Sequence, residues 1–346
     1  MDEDIFLSKA FSGSMRPSKI LPYFYRGSGQ FDQEDVTIAT LITSNRFQVF
    51  KRLVQRYKGP ISVTIHVRNT TAHIQDLLHS LHALYTSSEL MATFVDVHLV
   101  IDSFDRQFNT WRNIARLFAR TEFVLMLDID FAVCTDFRSS IRKSKHIKRQ
   151  LRDGYSAFVI PAFEYLKYNE GVDLANFPKD KRALLTLVKS KRIGMFHASW
   201  APGHNNTDYK RYYAARPGEI YKVASYQSAY EPYIIFKKDG PPWCDERFVG
   251  YGGNKAACVF EMYLSGVSLH VLADHFIIHQ NHLYEEMARK NERRYNRKVY
   301  SDFKEELCFR YLRGYHENHL LNTTRGLNTQ QECKRLKNIP RIAAEV

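Results

Sequence analysis

The chain has 346 residues, enough for one large α/β domain or two smaller ones with a full core. Lys and Arg outnumber Asp and Glu by 50 to 37, giving a formal charge of +13 and favouring anionic partners such as nucleotide phosphates, acidic glycans or membrane surfaces. No nucleic-acid motif accompanies that charge, no apolar run has the length of a membrane span, and the N-terminus lacks the basic-then-apolar order of a signal peptide. A small anionic substrate is therefore the economical reading, in a cytosolic protein or in a fragment whose anchor lies outside this chain.

Residues 1 to about 35 read as an irregular arm, punctuated by Pro17, Pro22 and several glycines. A regular alternation follows. Val36 to Thr43 is a β-branched, apolar strand. The next segment puts Phe47, Phe50, Val54 and Tyr57 on one helical face and is stopped by Gly59-Pro60. Ile61 to Val67 is a second strand, and Thr71 to Tyr85 a helix with Ile74, Leu77, Leu78, Leu81 and Leu84 in register. Phe94 to Ile101 is a third strand, Trp111 to Arg120 a helix, and Phe123 to Leu127 a fourth strand. Strands alternating with helices predict an α/β fold with a mostly parallel central sheet, whose ligands bind at the carboxyl ends of the strands.

The fourth strand runs into two acids one residue apart, Asp128 and Asp130, in MLDIDF. Burying paired carboxylates is costly unless a cation shares them. Residues i and i+2 of a strand share a face, so both can turn towards one hard ion, Mn²⁺ or Mg²⁺, with phosphate oxygens completing its shell. The bland alternative is a solvated acidic turn.

The second half is less regular. It contains a strand at Ala157 to Pro161 entering IPAFE and a basic helix near Lys179 to Lys191. Aromatic loops HASWAPGHNNTDYKRYY and YEPYIIF come next, then the Gly-rich turn of DERFVGYGGNK before a helix at Ala256 to Leu264. VSLHVLADHFIIHQNH reads as a strand ending in His279 and His282, and Leu283 to Tyr315 as a charged helix or helix pair. The five cysteines have no metal-site spacing and leave the redox compartment open. Asn69, Asn205 and Asn322 open N-x-[ST] triplets that weakly favour a secretory lumen. With no repeat and no long linker, one catalytic domain is expected over residues 36–315, divided at 134 into a nucleotide-binding and an acceptor half, with a tail at 316–346.

TIATLITSNRF, KGPISVTIHV, WRNIAR, MLDIDF, IPAFE, the W-x-x-G-H-x-x-T-x-Y pattern from Trp200 to Tyr209, YEPY, DERFVGYGGNK and FIIHQNH, in this order, resemble glycosyltransferase family 49, which includes LARGE-type second catalytic domains and β-1,4-glucuronyltransferases. The resemblance implies a GT-A-type nucleotide-diphospho-sugar transferase fold. It further implies metal-dependent, inverting transfer of a sugar, glucuronic acid among the candidates, from a UDP-sugar to a glycan or glycoprotein acceptor. The implied place of work is the Golgi or secretory lumen, the alternative being cytoplasmic.

On that resemblance Asp128, Asp130 and His279 hold Mn²⁺ against the UDP diphosphate. Arg112 and Asn113 contact the nucleotide or sugar, the stretch from Thr40 to Arg46 borders the uracil, and Trp200, His204 and Tyr209 face an acceptor or donor sugar. Inverting transfer needs a carboxylate to take the acceptor proton. Asp245 is the first expectation and Glu246 the second. Asn254 and Lys255 occupy the places where related GT-A segments carry acids, so the base is one of these or lies elsewhere, for example at Glu164. The competing readings are a non-catalytic sugar-binding relative of the fold and a D-x-D phosphohydrolase. The latter is weakened by Ala132, which stands where Thr or Val is usual.

Overall fold

The structure is a computed structural model in which residues 19–102, 106–282 and 286–336 are described. Among them, thirteen strands form two sheets, of nine and four strands. The large sheet contains β1 (Lys19–Tyr25), β2 (Val36–Ile42), β3 (Ile61–Arg68), β4 (Val95–Asp102), β5 (Phe123–Met126), β7 (Ser156–Ile160), β10 (Ile220–Lys222), β11 (Tyr233–Lys237) and β12 (Ser268–Leu272). Its order is β1-β4-β3-β2-β5-β11-β7-β12-β10. The run β4-β3-β2-β5 is parallel, as the alternation of the first half predicts, and β7 pairs β12 in parallel. β1, β11 and β10 enter antiparallel. The small sheet, β6 (Phe131–Val133), β13 (Ile277–His279), β8 (Ala162–Tyr165) and β9 (Ile193–Met195), stands beyond the ends of β5 and β7.

The apolar runs of the central strands are continuous because both faces of the sheet are covered. Along β5, Phe123 and Leu125 enter one core while Val124 and Met126 enter the other, and β7 and β11 alternate likewise. Helix Phe47–Tyr57 covers the first core with Phe47, Phe50, Leu53, Val54 and Tyr57, and ends in a left-handed Lys58 just before Gly59-Pro60.

Three expectations are corrected, and the choice between one helix and a pair is decided. The N-terminal arm carries β1, held against β4; residues 1–18 of that arm lie outside the described residues. VSLHVLADHFIIHQNH is two strands in different sheets, β12 and β13, because Ala273 to Phe276 turns the chain from one to the other. Leu283 to Tyr315 is one helix, Glu286–Glu317, residues 283–285 being outside the described set. The segment assigned to a tail folds into helix Thr324–Cys333, which shows no apolar stripe in sequence because it docks through polar groups. Asn328 donates to the Tyr263 and Val267 carbonyls (2.9 and 3.3 Å), Thr329 donates to Leu264 (2.8 Å), and a disulfide joins Cys333 to Cys308. A second disulfide joins Cys244 to Cys258, and Cys134 is free and buried.

β1 makes a pH-sensitive contact. The Tyr23 N–H donates to His98 Nδ1 (2.9 Å), while Ser62 Oγ, whose proton goes to the Ala115 carbonyl (2.6 Å), accepts from Nε2 (3.0 Å). This network admits only the neutral imidazole, and burial pushes the His98 pKa down from 6.5 to about 4. The folded-state value is depressed, so the unfolded chain binds the proton first. The stabilisation is complete above the unfolded value and is lost as pH falls through that window. Wild type is expected to lose more stability than His98→Asn between about pH 7.5 and about pH 4.5 in urea unfolding; parallel losses would contradict this account.

Candidate active site

Strand β5 ends at Met126, so the two acids lie not on a strand face but in the turn leading to β6. That turn is pinned on both sides: Leu127 N–H donates to the Ala39 carbonyl of β2 (3.1 Å) and Gln280 N–H to the Asp130 carbonyl (2.7 Å). It therefore sits at the carboxyl ends of the parallel strands, and its two carboxylates have separate surroundings.

Asp128 is clamped. Its Oδ1 accepts from Arg112 (3.1 Å), and its Oδ2 accepts from the Tyr233 hydroxyl (2.8 Å) and Lys255 Nζ (3.2 Å). Burial opposes ionisation here, but Lys255 and Arg112 more than offset it and hold the carboxyl well below the usual carboxylate range. Lys255 lies 3.8 Å from the centre of the Tyr233 ring, and Arg112 is fixed by the side-chain oxygens of Asn109 (3.0 Å) and Asn254 (2.9 Å). The clamp gathers side chains from a helix, a strand and the first turn of helix Asn254–Leu264.

Asp130 faces the other way. Its oxygens lie 3.2 Å from His282 Nε2 and 3.5 Å from Arg46 Nη1, and Arg46 Nη2 lies 3.2 Å from His282 Nδ1. His279, at the end of β13, packs against Phe131, Phe196 and His282, with ring centroids 4.9–5.3 Å away. Burial pushes its pKa down to about 3, which keeps the imidazole in the neutral form that binds metals. One ligand atom each from Asp130, His279 and His282 lie within 4.8 Å of one another. One carboxylate and two imidazoles suit Mn²⁺ and leave coordination positions open for phosphate oxygens. The Asp128–Asp130–His279 set expected from sequence is thus drawn differently: Asp130 and His279 converge with His282, while Asp128 belongs to the clamp.

The remaining expected residues divide. Arg112 and Arg46 are in the site, and Thr40 is buried on β2, its hydroxyl without a hydrogen-bond partner among the described residues. Asn113 points elsewhere. It exchanges hydrogen bonds with the Cys244 backbone (2.8 and 3.0 Å) and donates to Glu246 (2.9 Å), so it latches the loop carrying Asp245. Asp245 takes a two-point ion pair from Arg247 (2.8 Å), which also binds Glu306. Neither expected base therefore presents an unengaged carboxylate. Glu164 accepts from the His197 N–H (2.9 Å). Trp200 is 61% exposed, whereas His204 is buried between Phe196 and Tyr233 and kept neutral by burial and by Lys255. Sequence reasoning missed Tyr233, Lys255, His282 and Asn109. YEPY, GGNK and FIIHQNH marked the segments of the first three without marking their roles, and Asn109 lies outside every one of these motifs.

The pinned acidic turn, at the carboxyl ends of an α/β sheet, thus has on one side a carboxylate–imidazole group that could hold a metal ion and on the other a cationic clamp. The chain belongs to the family described as "Glycosyl-transferase for dystroglycan", whose model matches residues 35–108 and 102–312. It is 32% identical over 253 residues to the xylosyl- and glucuronyltransferase LARGE2 of Rattus norvegicus, covering 72% of this chain and 34% of that protein. It is 28% identical over 293 residues to the glycosyltransferase-like protein gnt14 of Dictyostelium discoideum, covering 83% and 44%. The chain thus spans a third to under half of these relatives. Among solved structures, GalNAc-T7 with UDP, GalNAc and Mn²⁺ is similar at a TM-score of 0.44 and 11% identity, over 72% of this chain and 44% of that one. Family and topology agree on the GT-A-type α/β fold.

Proposed function

We propose that the chain is a divalent-metal-dependent glycosyltransferase that moves a sugar, glucuronic acid first among the candidates, from a UDP-sugar to a glycan or glycoprotein acceptor with inversion. The observation that carries this reading is the convergence of Asp130, His279 and His282 beside the Asp128 clamp in a chain of this family. A cation held by those three side chains would neutralise the diphosphate as it departs. Lys255 and Arg112 add fixed positive charge next to it, and the buried Asn109 and Asn254 keep Arg112 in place. Trp200 offers an exposed aromatic face to an acceptor sugar.

Residues 36–315 form the catalytic unit in this reading, with 36–134 serving the nucleotide. The proposed setting is an oxidising secretory lumen such as the Golgi. It is supported by the two disulfides and by the exposure of Asn69, Asn205 and Asn322, which open the glycosylation triplets. Among the described residues no helix is long and apolar enough to cross a membrane.

Thermal melts with UDP, UDP-glucuronic acid, UDP-xylose, UDP-galactose and UDP-N-acetylglucosamine, each with Mn²⁺ or EDTA, test the reading. A ligand at a hundred times its dissociation constant adds about 2.7 kcal/mol, a rise of several degrees. A rise that requires Mn²⁺ is expected with UDP and is largest with one donor. The absence of any rise across the whole panel would sink the proposal.

A further inference from the structure

The base required by inverting transfer is missing from the positions where sequence places it. Asp245 is paired with Arg247, Glu246 is bound by Asn113, Glu164 is taken by the His197 N–H, and Asp128 and Asp130 serve the clamp and the metal group. One further carboxylate stands near the clamp and, where Glu164 accepts from two backbone N–H groups, accepts from one. Glu231 stands two residues before Tyr233, at the entry to β11. Its backbone N–H donates to the Gly203 carbonyl (2.8 Å), which ties it to the segment bearing Trp200 and His204. Its side chain accepts a hydrogen bond from the Ala256 N–H, in the first turn of helix Asn254–Leu264 and next to Lys255. It is half-buried and stands beside the clamp, close enough for Lys255, Asp128 and Arg112 to act on its charge and for that charge to act on Tyr233.

Resting on the transferase reading above, we propose that Glu231 is the general base of this chain. Its carboxylate takes the proton from the acceptor hydroxyl as that oxygen bonds to the anomeric carbon. The bond from the anomeric carbon to the diphosphate breaks, and its electron pair leaves with UDP. The surroundings suit the task. Burial raises the Glu231 pKa and the Asp128 charge adds to it, while Lys255, Arg112 and the Ala256 N–H pull the other way. The phenols of Tyr233 and Tyr300 complete its neighbours. Lys255, at a position where an acid is usual in related segments, then has a reason to be a lysine: it neutralises the clamp acid and faces the base.

The test is Glu231→Gln in the full chain. It is assayed by UDP release from UDP-glucuronic acid and the other donors, onto aryl xyloside, glucoside, galactoside and glucuronide acceptors. Glutamine keeps the size and the hydrogen bond from Ala256. Turnover is expected to fall about 10²- to 10⁴-fold, with UDP affinity by calorimetry and melting temperature close to wild type, and with the acid limb of the pH–rate profile lost. Asp245→Asn is expected to keep that limb. Turnover of Glu231→Gln within about tenfold of wild type would overturn the assignment. So would a loss of UDP affinity that accounts for the whole defect, since that would make Glu231 a positioning residue for Lys255. If the glutamine variant does not fold, Glu231→Asp decides: a slower enzyme with the acid limb intact supports the base, and an unchanged rate refutes it. Wild type that binds no UDP would instead refute the transferase reading itself.

Discussion

Asp130→Ala is expected to lower metal-dependent transfer by about 10²- to 10³-fold, the scale of losing one group that faces developing transition-state charge, while leaving the apo melting temperature nearly unchanged. Its partners Arg46 and His282 are both partly exposed, so breaking these contacts costs little, about 1 kcal/mol or less. Asp128→Ala is expected to behave differently although it removes the other acid of the same motif. It would leave Arg112 and Lys255, both buried, facing each other without a counter-charge, and should cost about 3 kcal/mol of stability besides donor binding. UDP-release assays with Mn²⁺ or EDTA, read beside thermal melts of both variants, separate the two roles. Equal destabilisation by both substitutions, or Mn²⁺-dependent transfer surviving in Asp130→Ala, would contradict the division of the motif.

The largest effect on stability is expected at Arg116, on the helix Phe108–Leu117 that also carries Arg112. Its guanidinium is 1% exposed. It donates to the Lys238 carbonyl twice (2.8 and 2.5 Å) and to those of Pro241 (2.6 Å) and Pro242 (2.7 Å). It also stacks on Trp243, 4.1 Å from the ring centre. Burial pushes its pKa down to about 10, which leaves it charged at neutral pH. These bonds give shape to the proline-rich loop leading into Cys244 and Asp245, whose carbonyls have this one planar donor in common. Arg116→Met should cost about 3–5 kcal/mol in urea unfolding. Arg116→Lys should recover only part, because a single ammonium cannot reproduce the fork. A loss below about 1 kcal/mol would mean that the loop finds other donors or water.

The parts of the fold legible in sequence were those with a local period. β2, β3 and β4 announce themselves as β-branched runs, β5 as a short apolar one, and the helix after β2 by its spacing from Phe47 to Tyr57. The position of the acidic turn follows from that alternation. What was not legible depends on side chains meeting across long stretches of chain. Arg112, Tyr233 and Lys255 have no spacing that predicts a common carboxylate, and Lys255 reads in sequence as the loss of an acid rather than the gain of a clamp. Asp128 and Asp130 read as equivalent because strand alternation is carried past Met126 into the turn. Asn328 and Thr329 carry no apolar signal, so the closing helix passed for a tail. Four of five cysteines pair, and no spacing rule selects which.

The glycine turn between Asp245 and Lys255 bears on how such a site can diversify. Gly250, Gly252 and Gly253 all adopt positive φ, and a Cβ at Gly250 would meet the Glu292 carboxylate carbon at 2.6 Å, while one at Gly252 would meet the Arg293 Cα at 3.1 Å. The helix Glu286–Glu317 is laid directly on this turn, and Glu292 accepts the Tyr251 N–H (2.9 Å). One wall of the mouth therefore has almost no latitude for new side chains. The segment around the exposed Trp200 has a great deal. Changes of acceptor preference during descent from a common ancestor would accumulate on that open segment, while the packed turn stayed constant.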